Sequence, residues 1–390
     1  MSKTLIVAEK PSAMKKIAES LAENSLKRKK IGKVYYYELK KDNKIIFVAS
    51  AVGHLFGLQS KEKGWTYPSF TYEWAPIHEI SKNSEYTKDY IAVLQELVKD
   101  SSEFVNACDL DIEGETIFSL ILERIIKKKD AKRMKFSTMT KEDLLGAFEN
   151  LSQHVEFGMA EAGRTRHSLD FLYGINLSRA LTLSIKEAGS FKVMSIGRVQ
   201  GPTLEILSKR EREIQKFKPE PFWEIELITD QLNAFHKNGK FKDKKQAESI
   251  VKKTKGKPAF VGSIKKTQTT QKPPYPFDLT SLQLTAYKHL GFTPKQTLQL
   301  AQNLYIAGYI SYPRTSSQKL PPALGYKKIL SKLAKQPKFE KLVKLLPEKL
   351  SPNEGPKTDS AHPAIFVTGE IGKLKPQEER LYDLIAHTFL

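Results

Sequence analysis

Tyr312, Pro313 and Arg314 stand side by side within Gly308-Tyr309-Ile310-Ser311-Tyr312-Pro313-Arg314-Thr315-Ser316-Ser317. A phenol that attacks a phosphodiester needs its developing anion, and the charge of the crowded phosphate, stabilised; the planar donor fork of Arg314 suits that task. The same residues would also serve as packed aromatics on a strand beside a solvated arginine. A second chemistry-bearing run is Asp109-Leu110-Asp111-Ile112-Glu113-Gly114-Glu115. Clustered carboxylates repel one another unless a cation neutralises them, and oxygen ligands of this kind suit Mg²⁺. An acidic turn capping a helix N-terminus is the plainer alternative. Glu9-Lys10-Pro11-Ser12 offers a proton donor or further metal ligand in Glu9 and a point charge for phosphate in Lys10. His54, after Ala49-Ser50-Ala51-Val52-Gly53, is a possible phosphate donor or a structural histidine.

These residues need elements to bring them together. Leu5 to Ala8, Ile45 to Ala49 and Phe104 to Cys108 read as strands, each running directly into one of the chemical motifs. Open α/β sheets place their sites at the carboxyl ends of such strands. Helical spacing is expected over Ser12 to Ala22 and Thr116 to Lys127. From Lys141 to Ser208 the pattern is helical, interrupted at Gly189-Ser190. Period-two alternation over Phe222 to Leu227, with Pro258 to Val261, predicts antiparallel strands. After Pro273-Pro274-Tyr275-Pro276, helices return over Asp278 to Leu290 and over Thr293 to Ala307, the latter with Pro294 in its first turn and Gly308 just past its end. The basic clusters Lys27 to Lys30, Lys240 to Lys245 and Lys252 to Lys257 read as solvated faces.

Across 390 residues, 64 Lys and Arg oppose 44 Asp and Glu, a net charge of +20 that points to a polyanionic partner. The single cysteine, Cys108, leaves no internal disulfide framework or Cys-rich zinc module, as expected of a protein in a reducing cytoplasm. No apolar run of about 18 residues is present, and Met1-Ser2-Lys3-Thr4 leads into a strand rather than a signal peptide, so neither membrane insertion nor secretion is expected. No Gly-x-x-x-x-Gly-Lys-Ser/Thr loop for ATP occurs.

The motifs taken together resemble the type IA DNA topoisomerases, in particular their archaeal and topoisomerase III-like branch. The resemblance rests on Val7 to Ser12, Ala107 to Glu115, Ser195-Ile196-Gly197-Arg198-Val199-Gln200-Gly201-Pro202-Thr203-Leu204 and Ile310 to Thr315. Arg179 to Thr182, Pro273 to Phe277 with Leu282-Gln283, and Ala361-His362-Pro363-Ala364-Ile365 extend it over essentially the whole chain, in the family's order. It implies that Tyr312 is the nucleophile, joining the 5′-phosphate, and that Arg314 stabilises the scissile phosphate. It implies Glu9 as the proton donor to the leaving 3′-oxygen and Lys10 as a phosphate contact. Asp109, Asp111 and Glu113 match the acidic triad for Mg²⁺, joined by Glu9. His362 and Arg198 match active-site and DNA-contacting positions, and Gln200, His54 and Asp170 further DNA-binding ones.

The implied architecture is multidomain α/β plus α: a Rossmann-like toprim domain over 1–150, the first part of a helical domain over 151–210, half of a β hinge over 211–270, and a helical, winged-helix-like active-tyrosine domain over 271–390. Family members close a torus whose hinge uses two chain segments, so a truncated chain or a split gene with a partner polypeptide is expected. The implied function is ATP-independent relaxation of negatively supercoiled DNA, in the cytoplasm and with the nucleoid. A DNA-binding subunit without turnover of its own, and another toprim enzyme such as a primase or nuclease, are the alternatives.

Overall fold

The computed structural model describes residues 3–23, 25–42 and 44–390; Met1 and Ser2, at the head of the expected first strand, lie outside them. Two compact units divide the chain, residues 1–195 with 272–390 and residues 196–271. The strands of the first unit are β1 (Lys3–Ala8), β2 (Leu26–Ile31), β3 (Val34–Lys41), β4 (Lys44–Ser50), β5 (Phe56–Ser60), β6 (Tyr72–Pro76), β7 (Glu103–Asn106) and β8 (Lys132–Arg133). Six of them form one sheet in the order β2-β3-β4-β1-β7-β8, and β5 pairs with β6 in a separate hairpin.

β1 is central because Leu5-Ile6-Val7-Ala8 is apolar on both faces, as a strand covered on both sides must be. It runs parallel to β4, with Leu5 opposite Phe47, and to β7, with Thr4 opposite Glu103. The helices of this part of the chain are α1 (Pro11–Leu21), the single turn α2 (Ile77–Ile80) beside the hairpin, α3 (Thr87–Lys99), α4 (Ile112–Ile121), α5 (Lys141–Glu149), packed on α1, and α6 (Phe157–Glu187), packed on α4. Ile6 and Ala8 meet Met14, Ile17 and Leu21 of α1 on one side. Leu5 and Val7 meet Leu94 and Leu97 of α3 and Phe118 and Ile121 of α4 on the other. The expected cluster Lys27 to Lys30 is solvated, but as the exposed edge strand β2, where lysines discourage pairing with another chain. The helix expected over Thr116 to Lys127 starts earlier, at Ile112. It passes into a π turn over Leu122–Ile126, ended by Lys127 at φ 58°.

In the second unit, α7 (Gln200–Lys216) and α8 (Lys244–Thr254) flank a hairpin of β9 (Glu226–Ile228) and β10 (Asn233–Phe235). The alternation over Phe222 to Leu227 is met by β9 and by the bridge from Trp223 to Phe241. The strand expected over Pro258 to Val261 does not form: it finds no partner among the described residues, and Phe260 is 87% exposed.

The chain returns to the first unit with α9 (Leu279–Leu290), α10 (Pro294–Ala307), α11 (Tyr326–Leu333), α12 (Pro337–Lys344) and α13 (Pro376–Phe389). Asp278 and Thr293 cap α9 and α10 by accepting the backbone N–H groups of Ser281 and Gln296, as their sequence signatures require. Leu282, Leu300, Leu304 and Tyr305 extend the core that holds α1, so the tyrosine segment is seated on the sheet. α10 stops at Gly308, φ 84°, where a Cβ would come within 3.1 Å of the Met139 carbonyl oxygen.

Candidate active site

The ends of β1, β4 and β7 are stitched together by their backbones. The Ala51 N–H donates to the Ala8 carbonyl at 2.9 Å, that of Gly53 to Glu9 at 3.0 Å and that of Ala107 to Val7 at 2.9 Å. Glu9, His54 and the acidic loop from Asp109 therefore leave the sheet on one edge. Gly114 lets the first turn of α4 fold back on that loop, since a Cβ there would lie 2.1 Å from the Asp109 carbonyl oxygen. Asp111 caps α4, accepting the Gly114 N–H at 2.7 Å.

Tyr312 reaches this edge from the other side. Its N–H donates to the Ser137 carbonyl at 2.8 Å, and Ile310 bridges Val367. Its ring lies 4.4 Å from that of His362 and meets Tyr305 edge-on at 5.2 Å. Its hydroxyl donates to Asp111 Oδ2 at 2.5 Å. Burial, then the charges of Asp109 and Asp111, hold that phenol well above its usual range, while Arg314 pulls it back. His362 ties the two sides: one ring nitrogen, Nε2, meets the Leu110 carbonyl at 3.0 Å and the other, Nδ1, meets the Ser137 hydroxyl at 3.0 Å. Burial lowers its pKa, so the ring is neutral near pH 7, with Nε2–H donating and Nδ1 accepting.

Lys10 Nζ lies 2.8 Å from Glu9 and 3.7 Å from Asp109. Asp109 is pushed up to about 7, by burial first and then by Glu9, with Lys10 and Arg314 opposing. Carboxylates crowded enough for one to retain a proton near neutrality form the hard oxygen set that a divalent cation such as Mg²⁺ fits. Beneath them, the wholly buried Arg133 pairs with Glu115 at 2.5 Å and donates to the backbone carbonyls of Asn106, Met134 and Asp109.

Glu9, Lys10, Asp109, Asp111, Tyr312, Arg314 and His362 thus share one neighbourhood. Glu113 turns toward a second cluster: its Oε2 lies 2.9 Å from Nε2 of His54 and 2.9 Å from Nε2 of His167, and its Oε1 lies 3.2 Å from Arg166. Asp170 faces Arg166 at 3.9 Å. Arg198 and Gln200 are exposed residues of the second unit, Arg198 in the turn before α7 and Gln200 at its first position. Sequence reasoning missed Arg133, His167 and Arg166. Arg133 sits in an unremarkable basic stretch; the basic run Arg164-Thr165-Arg166-His167 was the available signal for the other two.

A doubly wound sheet whose strand ends present carboxylates to a buried tyrosine defines a toprim protein with an added tyrosine segment. Residues 4–139 match the Toprim domain, and residues 154–390 match the family described as DNA topoisomerase. The chain belongs to the type IA DNA topoisomerases. It is 46% identical to DNA topoisomerase 1 of Pyrococcus horikoshii over 99% of its own length and 58% of that protein's. It is 33% identical to DNA topoisomerase 3 of Bacillus licheniformis over 100% of its length and 54% of that protein's. Full-length topoisomerase I of Thermotoga maritima superposes with a TM-score of 0.66 at 26% identity, over 98% of this chain and 59% of that one. The chain therefore spans little more than half the length of these relatives.

Proposed function

We propose that this chain carries the strand-cutting centre of an ATP-independent topoisomerase, with Tyr312 as the nucleophile toward single-stranded DNA. The observation that carries the reading is the Tyr312 hydroxyl donating to Asp111 beside Glu9, Lys10, Asp109 and Arg314. Tyr312 Oη forms the new bond to phosphorus, and the bond to the 3′-oxygen breaks. Asp111 accepts the phenol proton, and Glu9 passes to the leaving oxygen the proton that its crowded neighbour Asp109 retains near neutrality. Lys10 and Arg314 balance the phosphate charge, and the neutral His362 holds the tyrosine ring against the acidic loop. The product is a 5′-phosphotyrosine and a 3′-hydroxyl; because one phosphoester replaces another, resealing needs no ATP.

Glu9, Asp109 and Asp111, with Glu113 once it leaves its histidines, would hold Mg²⁺, which when bound neutralises the crowded phosphate and carboxylate charge, chiefly for religation. Arg198, Gln200, His54 and Asp170 are the further DNA contacts of this reading. Its domains are toprim over 1–150, helical over 151–210, hinge over 211–270 and active-tyrosine over 271–390. The substrate is negatively supercoiled DNA in the cytoplasm, at the nucleoid; no helix among the described residues is long and apolar enough to cross a membrane. Strand passage engages further polypeptide, which covers the apolar side chains exposed in the second unit, among them Phe217 and Ile228.

The test is covalent trapping on end-labelled single-stranded DNA. A labelled protein band that Tyr312→Phe abolishes supports the cleavage centre. No band, with DNA binding intact, assigns the chain the role of a DNA-binding subunit without turnover.

A further inference from the structure

The cluster around Glu113 has a composition that Mg²⁺ does not call for. Among the described residues, His54, Glu113 and His167 are the one trio of His, Cys, Asp or Glu whose ligand atoms converge, all within 4.8 Å of one another. Each comes from a different element. His54 follows Gly53, whose φ of 90° turns the chain after β4. Glu113 lies on the first turn of α4, and His167 on α6. α6 crosses α4 closely through Gly163, where a Cβ would lie 1.9 Å from Thr116 Oγ1. His167, four residues on, shares the face that Gly163 presents to α4.

We infer that His54, Glu113 and His167 form a binding site for a borderline divalent ion of the Zn²⁺ class, distinct from the hard-cation site at Asp109 and Asp111. Two imidazoles and one carboxylate, with water completing the sphere, are a donor set that suits Zn²⁺, whereas Mg²⁺ prefers oxygen alone. Ligands at Zn²⁺ bond lengths stand about 3.4 Å apart in a tetrahedron. Both Nε2 atoms are now 2.9 Å from Glu113 Oε2, so small side-chain rotations open the space for an ion. The Arg166 guanidinium lies on the other carboxylate oxygen, Oε1, and leaves Oε2 to the imidazoles. The Trp74 ring packs beside that of His167, centroid to centroid 5.8 Å. If Glu113 also serves Mg²⁺, as the proposed function has it, an ion held here withdraws that ligand and inhibits; this consequence alone rests on that reading.

The experiment is calorimetric titration of the full, metal-free chain with Zn²⁺, with Co²⁺ as a spectroscopic probe of imidazole coordination. One equivalent of Zn²⁺ is expected, weakened at least about tenfold in His167→Gln and unchanged in Asp111→Asn. His167→Gln keeps a hydrogen-bond donor toward Glu113, and a circular dichroism spectrum like that of the unaltered chain confirms that it folds; should it not fold, His54→Gln is read in its place. Absence of Zn²⁺ binding, binding unaffected by the histidine variants, or binding lost in Asp111→Asn would each overturn the site. None of these readouts depends on DNA cleavage.

Discussion

Asp111 does two jobs with two oxygens: Oδ1 caps α4 and Oδ2 accepts the Tyr312 phenol. Asparagine caps about as well as aspartate, alanine does not. Asp111→Asn should therefore unfold in urea close to the parent, while Asp111→Ala loses about 1 kcal/mol; equal stability of the two variants would remove the cap from the account. Asp109 makes a pH prediction. A carboxyl raised in the folded state contributes stability fully below its unfolded pKa, about 3.9, and loses it as pH rises through the folded value, here about 7. The unfolding temperature of the metal-free chain should thus fall between about pH 4 and pH 7, and level off above, by more than that of Asp109→Asn. Identical pH slopes in differential scanning calorimetry would show that Asp109 is not protonated where its burial requires it.

At the scale of elements, the buried Arg133 and Glu115 join β8 to α4 directly under the acidic loop. Burial raises the Glu115 pKa, with Arg133 opposing. Arg133→Met strands that carboxylate and the carbonyls it serves, at a cost of about 3–5 kcal/mol. Adding Glu115→Leu should cost less than the sum of the two single changes, measured by urea unfolding; strict additivity would mean that the pair is not coupled. Close approach of α4 and α6 is likewise testable, since Gly163→Ala forces them apart and should cost on the order of 1–3 kcal/mol in the same assay. These joints mark the limit of what the sequence discloses. β1, β4 and β7 were legible because buried parallel strands are apolar runs, and α9 and α10 because Asp278, Thr293, Pro294 and Gly308 announce their ends. β2 and β8 were not, because Leu26–Ile31 is an exposed, charge-rich edge strand held only by its hairpin with β3, and Lys132–Arg133 is two basic residues that owe their pairing to β7 well back along the chain. The tyrosine, the carboxylates and Lys10 were legible as chemistry. That Glu113 faces His54 and His167 was not, because it depends on where α6 crosses α4.

The whole molecule adds a long-range field to the local chemistry. A surplus of 20 positive charges attracts a polyanion without choosing a sequence, and the phosphates it neutralises release counterions. The logarithm of the binding constant should therefore fall linearly with the logarithm of salt concentration, by about 0.7 for each single-strand phosphate engaged. An interface of about six phosphates weakens roughly 300-fold between about 50 and 200 mM salt. Arg314 and Lys10 sit where the scissile phosphate belongs in the proposed reaction, so Arg314→Gln with Lys10→Gln should reduce the slope by up to about 1.4. The same change in Lys252 and Lys253, exposed on α8 of the second unit, reports whether that unit also lies along the strand. Fluorescence anisotropy with a labelled oligonucleotide measures all three slopes. A slope near zero would mean that the surplus charge serves something other than DNA. A normal slope left untouched by the Arg314 and Lys10 changes would place the bound strand away from Tyr312, so that the chain's affinity and its chemistry would belong to different surfaces.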